Sequence, residues 1–235
     1  MSVAVRFDGG RLGGRLHLPP DPGPVPVVVW GHGSERLPGA QDALAEFYNR
    51  AGYALFLPHR GGHGSSAGPY AITELGPIAT PENVGRLVVE LHERQLDDTA
   101  AAVRWISGHP RVDSARVAVS GVSFGGVQTM LAAEARLGAK AYVAFSPGAT
   151  AWDEQPLLRR RLRRAARAAA DPVLVVQALN DHSLGPACDL GRRCRAHVYP
   201  RYGRSAQAAH GEFGCRGMEI WGPDVLAFLG AAFAS

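Results

Sequence analysis

Lysine is nearly missing from this chain: Lys140 is the only one, and arginine carries almost all of the positive charge behind a modest net +4. The arginines crowd once, at Arg159-Arg160-Arg161-Leu162-Arg163-Arg164 and then Arg167, with no aromatic residue between them to stack on a base. Leu158, Leu162, Ala165, Ala166 and Ala169 recur at helical spacing through the same stretch. The cluster therefore reads as the wet face of a surface helix rather than a polyanion patch, and no nucleic-acid partner is expected. Cysteine is scarce and odd in number: Cys188, Cys194 and Cys215 exclude a complete set of disulfides. Free thiols are expected, with a Cys188–Cys194 bridge as the alternative. Long apolar runs are absent too. The longest, Val25 to Trp30, falls far short of the roughly 20 residues that span a bilayer, so no membrane partner is expected. The opening Met1-Ser2-Val3-Ala4-Val5-Arg6-Phe7-Asp8 has no basic patch leading into an apolar core, so a cytoplasmic location is expected. No internal repeat or low-complexity linker divides the chain, which reads as one domain over 1–235.

What is present is ordinary globular composition, 46% hydrophobic and 20% charged, arranged as strands alternating with helices. Val3–Phe7 and Arg15–Leu18, joined through Asp8-Gly9-Gly10, read as an antiparallel pair. Val25–Trp30 and Tyr53–Leu57 read as strands buried on both faces, the second closed by Pro58. A helix is expected over Gln41–Ala51. Residues 61–87, rich in Gly, Pro and Ser, form an excursion that reads either as a small lid or as a surface loop. Further strands are expected at Arg116–Val119, Ala141–Phe145, Val173–Gln177 and Ala196–Tyr199. Helices are expected over about 87–107, 125–137, the arginine cluster and 219–233, with a weak element at 185–195. This alternation predicts an α/β fold with a mostly parallel sheet and helices on both faces. In such sheets chemistry sits at the carboxyl ends of the strands.

One strand runs directly into a chemical motif. Val117-Ala118-Val119-Ser120 leads into Gly121-Val122-Ser123-Phe124-Gly125-Gly126, a G-x-S-x-G followed by an Ala- and Leu-bearing helix. A serine at the apex of so tight a strand-to-helix turn leaves no room for a Cβ two residues before or after it, which accounts for Gly121 and Gly125. Ser123 is thus the candidate nucleophile. A hydroxyl needs a base oriented by a carboxylate, and after such an elbow the chain order is acid, then histidine. Asp181, in the loop after Val173–Gln177, and His210, in Ala209-His210-Gly211 before the last helix, satisfy that order. Asp189 competes for the acid, whereas His182, His197 and Asp171 read as structural or misplaced. Acyl transfer also needs two donors for the oxyanion. The N–H of Phe124 supplies one, and Gly31-His32-Gly33-Ser34 supplies the other through Ser34, or else Gly33. His32 reads as a brace for that loop or a pocket wall. His59, Arg60 and His63 lack the acidic or cysteine partners of a metal site, and read as packing the loop and lining the entrance, with no metal expected. Trp152 is a further candidate pocket wall.

These pieces, Trp30-Gly31-His32-Gly33, Pro58-His59-Arg60-Gly61-Gly62-His63-Gly64, Ser120 to Gly126, Gln177 to Asp181 and Ala209-His210-Gly211, occur in order across the chain. In that order they resemble the dienelactone hydrolase-like branch of the α/β-hydrolases. The resemblance implies an eight-stranded sheet and hydrolysis of a carboxylic ester or lactone through an acyl-enzyme, with no cofactor. Dienelactone hydrolases carry cysteine where this chain has Ser123; serine there is more similar to a general carboxylesterase or to prolyl oligopeptidase-type peptidases. Those peptidases usually carry an N-terminal propeller or other domain, and none is expected within these 235 residues. Acyl transfer to another acceptor, and a small-ligand sensor on the same scaffold, are the competing functions.

Overall fold

A computed structural model describes residues 1–235, the side chain of Glu74 apart. Strands Ser2–Phe7 (β1) and Leu12–His17 (β2) pair antiparallel. β2 begins three residues before the expected Arg15 because Gly13 and Gly14 belong to the sheet and not to the turn. A Cβ on Gly14 would lie 2.7 Å from the Leu57 carbonyl oxygen, so glycine is what lets the neighbouring strand approach. The chain continues through Val25–Gly31 (β3), Asp42–Arg50 (α1), Ala54–His59 (β4), Ala71–Leu75 (α2), Val84–Ser107 (α3) and Val112–Val122 (β5). Then come Phe124–Ala135 (α4), Ala141–Phe145 (β6), Pro156–Ala168 (α5), Val173–Ala178 (β7), Gly185–Leu190 (α6) and Arg195–Tyr199 (β8). Ala206–Gly211 (α7), Phe213–Arg216 (α8) and Met218–Phe233 (α9) end it. β4 does not stop at Pro58. Its ladder with β3 ends at Val29↔Phe56, so the missing proline N–H breaks no bond on that side.

Among the described residues the strands form one eight-stranded sheet in the order β1-β2-β4-β3-β5-β6-β7-β8, parallel from β4 to β8 and antiparallel at the β1–β2–β4 edge. Alternate residues feed two cores. Val27, Val29, Tyr142, Val173 and Val175 face α3, α4 and α5; Val28, Trp30, Val143, Leu174 and Val176 face α1 and α9. That double burial is why the central strands read as unbroken apolar runs. This is the α/β-hydrolase fold.

The arginine-rich helix α5 buries Leu158, Leu162, Ala165 and Ala166, as its spacing predicts. Its arginines are not all on the wet face: Arg161 is largely covered and bonds Glu93 and Glu134, and Arg163 pairs with Asp189. Cys188, Cys194 and Cys215 are free thiols. Among the described residues no helix is long and apolar enough to cross a membrane.

Candidate active site

β5 ends at Val122, and the next residue, Ser123, takes φ 57° and ψ −112° before α4 begins. A non-glycine residue in that region stores strain that its surroundings must hold. They do so through the Ser123 N–H, which donates to the Phe145 carbonyl at 3.0 Å, and the Ser123 carbonyl, which accepts from Val127 N–H at 3.0 Å. A Cβ on Gly125 would sit 2.0 Å from the Gly31 carbonyl oxygen, so the second glycine of the motif is dictated by the end of β3 and the loop after it, which press against it. Ser123 thereby stands at the carboxyl edge of the sheet.

His210 comes from α7, a short helix of six residues whose Ser205 cap accepts from Ala208 N–H. Its ring is buried, with Nε2 2.8 Å from Ser123 Oγ and Nδ1 3.0 Å from Asp181 Oδ1. Asp181 lies in the turn after β7, past Leu179 and Asn180. Its Oδ1 also accepts from the His182 backbone N–H at 2.7 Å, and its Oδ2 accepts from Gln177 Nε2 at 2.8 Å. Burial pushes the Asp181 carboxyl up, but hydrogen bonds from His210, Ser146 and Gln177, with the charge of His210, outweigh it and hold the group below the usual carboxylate range. A carboxylate at Nδ1 requires the proton on that nitrogen, which leaves Nε2 free to accept from the serine hydroxyl.

The rivals lie elsewhere. Asp189, on α6, is tied to Arg163. His197 projects from β8 toward Tyr199 and Asp224 in solvent. His182 stacks edge-on against His210 at 5.5 Å and bonds Gln207, outside the hydrogen-bonded series.

The loop after β3 lies beside Ser123: a Cβ on Gly33 would be 3.8 Å from the Ser123 Cβ. Among the described residues the backbone N–H groups of Gly33, Ser34 and Phe124 have no acceptor. A cleft of about 370 Å³ opens here, lined among others by Ser34, Glu35, Ser123, Thr150, Gln207 and Glu212. Three expected pocket residues do not line it. Trp152 is buried in the α3–α5 core with its ring against Gly185, because apolar packing there removes more surface than a cleft wall would. His32 and His63 are buried behind the loop, Nδ1 of the first on the Gly33 carbonyl and Nδ1 of the second on the Glu35 carbonyl, each at 2.9 Å. Among the described residues, 61–87 contributes nothing to the cleft lining. It packs from behind, where Tyr70 Oη donates to the Ser34 carbonyl at 2.6 Å.

Residues that composition and spacing left unassigned complete the surroundings. Gln177 and Ser146 hold Asp181, and His92 on α3 stacks 3.8 Å from the Phe124 ring. Burial, and then the charge of Arg60, push the His92 imidazole down to about 3. A histidine kept neutral in the fold loses ground to the unfolded chain, which takes up the proton, as pH drops below 6.5. His92 and the similarly depressed His32 therefore contribute stability that is complete above that pH and shrinks toward their folded pKa values. We expect Tm to fall between pH 6.5 and about pH 4. The decline should be shallower in His92→Phe, in which Gln128 Nε2 keeps its bond to the carbonyl of residue 92. Equal slopes in parallel thermal scans would assign the acid sensitivity elsewhere.

Residues 8–165 match the family model described as X-Pro dipeptidyl-peptidase (S15 family). The chain belongs to this family. The match takes in the loop after β3 and Ser123, and ends before Asp181 and His210. No curated protein matches the S15-family chain by sequence. Among solved structures it is similar to Est1E from Butyrivibrio proteoclasticus with ferulic acid bound, at 19% identity and TM-score 0.71, covering 99% of this chain and 100% of that one. It is also similar to the α/β-hydrolase GrgF from Penicillium sp. sh18, at 15% identity and TM-score 0.71, covering 100% and 99%. A third is an acetyl xylan esterase from Paenibacillus sp. R4, at 18% identity and TM-score 0.67, covering 98% and 83%. Identities this low speak to the fold. Family and fold together make the chain a serine hydrolase.

Proposed function

We propose that this S15-family chain hydrolyses carboxylic esters through an acyl-enzyme on Ser123. The observation that carries the reading is the unbroken series Ser123 Oγ–His210–Asp181, at 2.8 and 3.0 Å, in the cleft beside free backbone donors. Ser123 Oγ forms a bond to the carbonyl carbon as its proton passes to His210 Nε2, and the carbonyl π pair moves onto oxygen. The N–H groups of Phe124 and Ser34 receive that oxyanion. Collapse breaks the bond to the leaving alcohol, which takes the proton from His210. Water, deprotonated by the same nitrogen, then attacks the acyl-enzyme, and the proton returns to Ser123 as the acid leaves. Asp181 keeps Nδ1 protonated throughout. The resemblance to dienelactone hydrolase-like proteins adds lactones to the substrates worth trying, and the similarity to an acetyl xylan esterase, named for ester chemistry, supports the ester reading.

Peptide hydrolysis is the second reading, favoured by the family's own description. One experiment separates the outcomes: intact-mass measurement after a fluorophosphonate probe, with turnover of p-nitrophenyl acetate and butyrate set beside X-Pro dipeptide p-nitroanilides. Single-site labelling with ester turnover is expected. Turnover of the anilides alone would replace the ester reading by the peptidase one. A folded protein inert to probe and substrates would favour a ligand sensor.

A further inference from the structure

We infer that Arg60, buried behind the loop after β3, is the positioning residue that aims both donors of the oxyanion hole. The inference rests on the ester-hydrolase reading above. Arg60 follows β4 and is 4% exposed. A guanidinium so deep in a protein is costly unless an anion pairs with it, yet among the described residues no carboxylate lies in contact with it. Glu35 and Asp98 act on it only at a distance, and Asp98 spends its oxygens on Arg11 and the Gly61 N–H. Where the donors of Arg60 go is therefore the informative question. Nε donates to Gln95 Oε1 at 3.0 Å, Nη1 to the His32 carbonyl at 2.8 Å and Nη2 to the Gly33 carbonyl at 2.5 Å. Its flat face covers the Phe124 ring at 4.4 Å. One cation thus grips the loop that carries Ser34 and the side chain of the residue that carries the other free N–H.

The geometry of the peptide unit gives this grip a consequence. The Gly33 carbonyl and the Ser34 N–H belong to one planar trans unit and point in opposite directions. Gly33 and Ser34 line the cleft with Ser123, and Arg60 does not. Holding the carbonyl toward Arg60, behind the loop, turns the Ser34 N–H to the cleft side, and the cation polarises the unit so that this N–H is a stronger donor. On the other flank the Phe124 ring packs against both Arg60 and the His92 ring, which restrains the first turn of α4 and its N–H. Donors set in advance in this way stabilise an oxyanion without reorganising during the reaction. A purely structural role would be filled as well by apolar side chains of similar volume.

The test compares wild type with Arg60→Met, which removes the cation, and Arg60→Lys, which keeps it but cannot fork onto two carbonyls. Three quantities are read for each folded protein: kcat, KM for p-nitrophenyl acetate, and Ki for an alkyl boronic acid, whose serine adduct is tetrahedral. The expected result is a loss of about 10²–10³ in kcat for both variants. KM should stay within about threefold, and boronate affinity should fall in parallel with kcat/KM. A loss confined to Tm, or a kcat loss with unchanged boronate affinity, would overturn the inference. Should Arg60→Met not fold, Arg60→Lys decides alone. If wild type takes the fluorophosphonate and turns over ester while the folded variants match it, the inference fails and the ester reading stands. If wild type is inert to both probes, the ester reading itself has failed.

Discussion

Ser123→Ala is expected to lower kcat on p-nitrophenyl esters by about 10⁴–10⁶ and to abolish fluorophosphonate labelling, with little change in the folded structure. The size follows from what is removed. Without Oγ the proposed acyl-enzyme cannot form, and His210 has only water to deprotonate; what remains is whatever the free backbone donors beside Ser123 and substrate binding contribute. Neither depends on the hydroxyl. The Ser123 N–H keeps its bond to the Phe145 carbonyl and its own carbonyl keeps Val127, so the strand-to-helix turn persists in the variant. A residual rate within tenfold of wild type in a folded Ser123→Ala protein would mean that the chemistry lies elsewhere. Steady-state kinetics and intact mass on the same preparations make the distinction.

Asp181→Asn is expected to cost on the order of 10⁴ in kcat, far more than loss of one ordinary hydrogen bond. The reason is in the neighbours. His210 Nδ1, the His182 backbone N–H and Gln177 Nε2 are donors directed at the two carboxylate oxygens, and Ser146 bonds there too. An amide of the same shape must turn its NH₂ toward one side of that ring of donors. If it faces His210, the imidazole moves its proton to Nε2 and can no longer accept from Ser123. If it faces Gln177, two donors collide in a buried place, which costs stability as well. Asp189→Asn, by contrast, loses only its ion pair with Arg163 near the surface and should leave kcat unchanged. The reverse pattern in the two variants would transfer the role of the acid to Asp189.

Arg60 and Trp152 show how differently two residues can fare when read from sequence. Arg60 stands in a Gly- and His-rich stretch and reads as loop packing. Its contacts to His32 and Gly33 lie 28 and 27 residues away in the chain, and no local pattern encodes that separation. Trp152 reads equally as a cleft wall or as core, since burial against a neighbour and burial against a ligand call for the same apolar side chain. Only the position of Gly185 across from it makes the choice. The helices α7 and α8 were not legible either. They have 6 and 4 residues, too short to nucleate alone, and exist because the rest of the fold holds them.

What the amino-acid order determined by itself was whatever depends on near neighbours along the chain. The strand–elbow–helix around Ser123 is such a feature, since the apolar strand, the G-x-S-x-G run and the helix are contiguous in the chain, although what crowds Gly121 and Gly125 is largely the Gly31 carbonyl at the end of β3. So are the apolar runs of the central strands, and the amphipathic stripe of α5. The tertiary structure alone decided what depends on distance through space. It brought His210 to Ser123 across 87 residues and Asp181 to His210 across 29, and it put a buried cation behind the loop after β3. Local sterics limit a residue to few conformations, whereas a meeting of distant side chains is selected by the packing of the whole sheet and its helices.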